Sequence, residues 1–215
     1  MSRHDKTQIV IKDTIASFVR EYARDGKDLL EIGGHLGRQT LIYRDQFVDP
    51  RKKVIYDWKN FVAPEVLPEV DFQKVDLETE NFPDEPETYD VIVCNQVFEH
   101  LKNIFTPLSE SWRALRPGGV LILSVPNLSA LHNCALLALW KLPTTLYIGG
   151  SHVRGYAIKS MTEFLTNSGH FQLADLRGIG LHPFTSAKQI ALFRRWCHTP
   201  VWALRKTGSS DGLQS

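Results

Sequence analysis

The stretch Asp28-Leu29-Leu30-Glu31-Ile32-Gly33-Gly34-His35-Leu36-Gly37-Arg38-Gln39-Thr40 limits what this chain can fold into more than any other. A short apolar run carrying one carboxylate ends in a glycine cluster, and a helix-like segment comes next. That pattern predicts a buried parallel strand, a tight turn and a helix N-terminus. Gly33, Gly34 and Gly37 let the backbone come close to a ligand, and the helix end offers free N–H groups. Gly-rich strand–helix turns also occur with nothing bound, so the meaning of this one depends on the rest of the chain.

The rest of the chain repeats the same unit. An amphipathic helix is expected from about Thr7 to Tyr22, with Ile15, Phe18, Val19 and Tyr22 on one face. After the strand Leu29–Ile32 comes a helix over Arg38–Phe47, then short strands at Val54–Tyr56 and Phe72–Val75. Pro83 and Pro86 mark a surface loop over 78–88. Tyr89–Cys94 reads as a fourth strand. Val97–Leu115 reads as a helix, with a break before Pro107. Val120–Val125 is a fifth strand whose continuous apolar run suits burial on both faces. Ile158–Asn167 and Phe171–Leu176 give a further helix and strand. From Ala187 the tail is expected to form a helix and, beyond Pro200, a final edge strand.

Alternating strands and helices predict an α/β fold: a Rossmann-like, doubly wound, mostly parallel seven-stranded sheet with helices on both faces. Ligands of such sheets sit beyond the carboxyl ends of the strands. Glu31 and the glycine turn, Asp57, Asp76, Asn95-Gln96 and Pro126-Asn127 should therefore line one edge. Residues 1–207 are expected to form one domain, 128–156 an inserted cover after the fifth strand, and 208–215 a disordered tail.

Composition excludes several classes. A net charge of +1 gives no field that would draw the chain to nucleic acid. Cys94, Cys134 and Cys197 are widely spaced, which indicates neither a disulfide framework nor a zinc ribbon. Cys94, inside an apolar run, is read as a buried thiol. The N-terminus lacks a signal-peptide core, and the apolar run Cys134–Trp140 is too short to span a bilayer, so a cytoplasmic protein is expected. No His, Cys and carboxylate cluster shows metal-ligand spacing, and no metal is expected.

In the order Leu30-Glu31-Ile32-Gly33-Gly34-His35-Leu36-Gly37, Asp57, Asp76-Leu77, Asn95-Gln96-Val97-Phe98-Glu99-His100 and Leu115-Arg116-Pro117-Gly118-Gly119-Val120, the chain resembles a class I S-adenosylmethionine-dependent methyltransferase over residues 28–176. The family usually carries Gly where this chain has His35. The resemblance implies S-adenosylmethionine as cofactor, held by Glu31, Gly33, Gly34, Gly37, Asp57, Asp76, Leu77, Asn95 and Gln96. Asp57 would take the ribose hydroxyls, Asp76 and Leu77 the adenine, and Glu31 would order the turn or reach the amine. The acceptor implied is a small molecule, sugar or lipid-linked compound, methylated at oxygen. His100 and His152 are the catalytic candidates for proton removal, and Arg154 and Tyr156 the acceptor-binding ones.

Two other readings compete. A nicotinamide-dependent dehydrogenase would need Gly-x-Gly-x-x-Gly, which the turn does not supply. A methyltransferase-like binding protein without turnover, acting through a partner, is the main alternative. No nucleic-acid partner is expected. The aromatic and basic tail, with Lys188, Arg194, Arg195, Arg205 and Lys206, is read as completing the sheet in preference to contacting a membrane surface. Oligomeric state is left open.

Overall fold

The computed structural model describes residues 3–182, 185–190 and 194–208, with residues 3–5 and 185–190 described through their backbone alone. The helices are α1 (Arg3–Ala23), α2 (Arg38–Arg44), α3 (Phe105–Ala114), α4 (Leu131–Ala138) and α5 (Ile158–Asn167). The strands are β1 (Asp28–Ile32), β2 (Lys52–Asp57), β3 (Asp71–Lys74), β4 (Tyr89–Asn95), β5 (Leu115–Ser124), β6 (Phe171–Leu181), β7 (Thr185–Ile190) and β8 (Thr199–Lys206). They form one sheet in the order β3-β2-β1-β4-β5-β8-β6-β7. The first five of these pair in parallel; β8 joins β5 and β6 antiparallel, and β7 hairpins onto β6.

Alternation along each strand builds two cores. Leu30, Ile32, Ile92, Cys94, Leu121, Leu123, Trp202 and Leu204 face one layer, which includes Trp112 of α3 and Met161 and Leu165 of α5. Leu29, Val91, Val93, Val120, Ile122, Val201 and Ala203 face the other, against Ile11, Ile15, Phe18 and Val19 of α1. All of these strand residues are essentially inaccessible to water. Each buried aliphatic side chain contributes roughly 1.5–3 kcal/mol. The apolar runs therefore act as strands of a sheet covered on both faces, as their composition predicts.

Three elements depart from expectation. The segment after β4 is a single turn of 3-10 helix at Phe98–His100, and α3 begins only at Phe105. Asn103 Oδ1 accepts the Phe105 N–H at 3.0 Å, which starts the helix there, and Pro107 falls in the first turn, where no backbone donor is required. The expected tail helix from Ala187 is instead β7 and a short 3-10 turn at Arg194–Trp196. The last strand is internal: Val201-Trp202-Ala203-Leu204 is buried throughout, and Pro200 is tolerated near the strand's start. That placement gives Arg205 and Lys206 partners within the sheet. Lys206 Nζ donates to the Leu115 carbonyl at 2.7 Å, and Arg205 to that of Gly118 at 2.8 Å. Apart from Gly208, the expected disordered tail lies outside the described residues, as do the side chains of Lys188 and Phe193. Among the described residues no helix is long and apolar enough to cross a membrane.

Candidate functional site

Because β3, β2, β1, β4 and β5 run in parallel, their carboxyl ends share one edge, and two adjoining cavities open there. The smaller, ≈ 310 Å³, is lined by Lys12, Glu31, the turn Gly33–Gln39 and Asn95. The larger, ≈ 640 Å³, is lined by Gly33, His35, Asp57, Trp58, Phe61, Asp76, Leu77, Glu78, Gln96, Val97, His100, Leu101 and Ser151. Gly33 and His35 belong to both. Every residue expected to hold the cofactor lines one cavity or the other.

The turn is held open by the protein's own packing. Gly33 and Gly37 have φ of 72° and 73°, in the left-handed region. A Cβ on Gly33 would lie 2.4 Å from Val97 Cγ2, and one on Gly37 2.9 Å from Val66 Cγ1. The glycines are thus required by close approach of the residues after β4 and after β2, beyond any need of a ligand. The Gly33 and Gly37 N–H groups are also engaged within the fold, by the carbonyls of Tyr56 (2.7 Å) and Gly34 (2.8 Å).

His35 occupies the departure from the family pattern without closing the turn. Its φ is 48°, its N–H donates to Asp57 Oδ2 at 3.3 Å, and its ring stacks on Phe61 with centroids 5.1 Å apart. Asp57, 7% exposed at the end of β2, accepts the Trp58 N–H at 2.9 Å through Oδ1. Burial pushes the Asp57 carboxyl above its ordinary range, against the pull of those hydrogen bonds.

Glu31, 3% exposed, accepts a hydrogen bond from the Thr40 hydroxyl. Burial pushes its carboxyl up to about 7, while Thr40 and Lys12 act in the opposite direction. Gln39 Oε1, beside it in the smaller cavity, has no partner among the described residues. A buried carboxylate and an orphaned acceptor in one polar cavity fit a cationic, hydrogen-bond-donating group.

Asp76 is exposed and closes a local turn, accepting the Glu78 N–H at 3.0 Å, while Leu77 is buried with its side chain at the larger cavity. Asn95 accepts from Ser124 Oγ at 2.6 Å, and Gln96 Nε2 donates to the same hydroxyl at 3.2 Å. Lys12, Trp58 and Phe61 lie at the site without having been anticipated. Trp58 and Phe61 come soon after Asp57 in sequence, so two aromatics just past an acidic strand end were the available signal; nothing in the α1 pattern marks Lys12.

The inserted segment meets the site through its second half. Asn133, fully buried, ties it down by donating to the Asn127 carbonyl at 3.0 Å and accepting the Thr144 N–H at 3.0 Å. The Val153 and Arg154 N–H groups donate to the Glu99 carbonyl at 2.8 and 3.3 Å. Arg154 directs its guanidinium to the carbonyls of Leu101 and Lys102, and Tyr156 donates its hydroxyl to the Phe98 carbonyl at 3.1 Å. Both side chains thus fasten the cover to the turn after β4. The apolar side chains Leu139 and Trp140 are exposed, Trp140 at 99%.

His100 and His152 meet with ring centroids 4.9 Å apart, at 72°. His100 Nδ1 lies 3.2 Å from the Ser151 carbonyl oxygen and His152 Nδ1 lies 2.9 Å from that of Thr145. Next to His100, Glu99 is 1% exposed, its Oε2 has no partner among the described residues, and burial pushes its carboxyl up to about 8. One donor atom from each of the three side chains lies within 4.8 Å of the others. Sequence spacing hid this cluster because Glu99 and His100 are adjacent while His152 arrives from the insertion.

Comparison with known proteins agrees with this geometry. Residues 3–180 match a family model described as a methyltransferase domain. A Mycolicibacterium smegmatis protein, named "probable S-adenosylmethionine-dependent methyltransferase", is 36% identical over 106 residues. That match covers 47% of this chain and 39% of the relative, so the chain corresponds to less than half of the relative's length. An S-adenosylmethionine-dependent methyltransferase from Archaeoglobus fulgidus superposes with a TM-score of 0.63 at 13% identity, covering 91% of this chain and 94% of the other. The 1,6-didemethyltoxoflavin N1-methyltransferase of Burkholderia thailandensis, solved with 1,6-didemethyltoxoflavin and S-adenosylhomocysteine, superposes with a TM-score of 0.61 at 18% identity, covering 96% and 84%.

Proposed function

The chain belongs to the methyltransferase-domain family of S-adenosylmethionine-dependent proteins, and on that premise we propose that it methylates a small-molecule, sugar or lipid-linked acceptor at oxygen. The observation that carries this reading is the alignment of Glu31, Asp57, Leu77 and Asn95-Gln96 around two adjoining cavities at one sheet edge. S-adenosylmethionine supplies an electrophilic methyl group on a sulfonium. The protein's part is to bind and align, since methyl transfer is an in-line displacement whose rate depends on holding donor and acceptor at attack distance.

In this reading Glu31 and Gln39 receive the amino-acid ammonium in the smaller cavity. Asp57 accepts from the ribose hydroxyls, a pairing in which each carboxylate oxygen takes one charge-assisted hydrogen bond. Leu77 and Val97 flank the adenine, and Asp76 accepts from its amino group. The acceptor oxygen enters beside His100 and His152, and its proton passes to an imidazole or to solvent as the new bond forms. Arg154 and Tyr156 act on the acceptor by keeping the cover in register with the turn at Phe98–His100. A small-molecule acceptor agrees with what the Burkholderia enzyme binds, and a volume of ≈ 640 Å³ suits a compound of that size class beside the cofactor.

The test is a panel of hydroxylated small molecules, sugars and lipid-linked sugars incubated with methyl-labelled S-adenosylmethionine. Label is expected in one class, at oxygen. Binding of the cofactor with no transfer across the panel would favour the non-catalytic alternative, and label confined to nitrogen would overturn the oxygen assignment.

A further inference from the structure

We propose that Glu99, His100 and His152 form a binding site for a divalent transition-metal ion at the acceptor side of the larger cavity. The binding claim stands on the three side chains alone; the role given to the ion rests on the methyl-transfer reading above.

Three independent features point to an ion. The Glu99 side chain is 1% exposed, yet among the described residues Oε2 has no hydrogen-bond partner. An unpartnered buried carboxylate oxygen is costly unless a cation completes it. The second feature is the state of the two rings. Each Nδ1 faces a backbone carbonyl, which can only accept, so a proton on Nδ1 leaves Nε2 as the nitrogen available to ligate. A backbone carbonyl holding one imidazole nitrogen so that the other can ligate is the usual arrangement around protein-bound metals. The third is placement: the His152 segment is hydrogen-bonded to the Glu99 carbonyl itself through the N–H groups of Val153 and Arg154, which keeps the three side chains together.

Donor atoms within 4.8 Å of one another need modest closure to share an ion, since bonds of about 2.0–2.2 Å put tetrahedral ligands roughly 3.3 Å apart. Two imidazoles and one carboxylate suit zinc, manganese or iron(II), and leave coordination positions open. His100 lines the larger cavity, so those positions face the space assigned to the acceptor. There the ion polarises an acceptor hydroxyl, whose proton passes to solvent as the oxygen forms its bond to the methyl carbon; the carbon–sulfur bond breaks and sulfur retains its electron pair. With their lone pairs on the ion, His100 and His152 act as ligands rather than as bases.

The test is equilibrium dialysis of the metal-stripped chain against zinc chloride, followed by cobalt(II) substitution read in visible absorption, with S-adenosylhomocysteine binding measured in parallel by calorimetry. One zinc per chain is expected. Glu99→Gln and His152→Ala should each weaken it at least tenfold while leaving S-adenosylhomocysteine affinity within about twofold. If Glu99→Gln fails to fold, His152→Ala and the exposed His100→Ala carry the comparison. Zinc binding equal in wild type and the folded variants, or none in wild type, would overturn the site. Zinc binding without S-adenosylhomocysteine binding would support the site and remove the methyl-transfer reading; the opposite pattern would remove the site and leave that reading standing.

Discussion

Glu31 sits where its charge is costly in the protein by itself and useful once a cation arrives. Its carboxyl is pushed up to about 7 from an ordinary value of 4.5 by burial. In this window the native chain holds a proton that the unfolded chain has lost, so raising the pH disfavours the native state. Stability of the ligand-free protein attributable to Glu31 is therefore full below about pH 4.5 and is lost up to about pH 7, by roughly 3 kcal/mol in all. Urea midpoints at pH 5 and pH 7.5 measure this. Glu31→Gln should lose the part of the pH dependence that wild type shows, and parallel behaviour of the two would refute the burial account. The residue scale is also where sequence says least. That Glu31 lies on a strand end was legible from Leu30-Glu31-Ile32-Gly33, but that Thr40 and Lys12 oppose its neutralisation depends on α1 and α2 folding over it. His35 is similar. The sequence shows a side chain in place of a glycine, and only the fold shows its ring on Phe61.

At the scale of elements, the segment between β5 and α5 behaves as a strap tied at several points. Asn133 holds its first half and the Arg154 guanidinium its second, with the Glu99 carbonyl between them. Removing a half-buried side chain that donates to backbone carbonyls costs about 1 kcal/mol locally. Arg154→Ala should therefore speed amide hydrogen exchange across residues 144–156 and raise the acceptor KM, with cofactor affinity nearly unchanged. If exchange in that segment is unaltered, Arg154 is not a fastener, and a KM effect would then place it on the acceptor directly. The position of the insertion, directly after the fifth strand, was legible in the sequence. Within its apolar run Leu139 and Trp140 face solvent. An apolar stretch of that length reads equally as core or as exposed surface until its neighbours are known. The grouping of Glu99, His100 and His152 escaped for a related reason: ligand spacing in sequence detects groups built on one element, and this one joins a 3-10 turn to a loop.

For the molecule as a whole, the strand order places β8 between β5 and β6, so the C-terminal segment closes the sheet. Trp202, fully buried with Nε1 donating to Thr162 Oγ1 at 2.8 Å, packs beneath α5. Trp202→Ala should destabilise by about 3–5 kcal/mol. Trp140→Ala, at a side chain 99% exposed, should change stability by no more than about 0.5 kcal/mol. Chemical denaturation of the two variants checks this, and equal effects would contradict the topology. The parallel half of the sheet was legible because each strand ends in a polar residue and a turn. The antiparallel half was not: Val201-Trp202-Ala203-Leu204 has the composition of a central strand, but chain order places it last, where an edge is the ordinary expectation. The central claim is that the carboxyl edge of the parallel strands binds S-adenosylmethionine through Asp57. Calorimetric titration of wild type and Asp57→Ala tests it most directly. One-site binding is expected in wild type, weakened about tenfold or more in the folded variant, since a charge-assisted hydrogen bond contributes roughly 1.5–3 kcal/mol. Absence of binding by folded wild type, or equal affinity in both proteins, would contradict it.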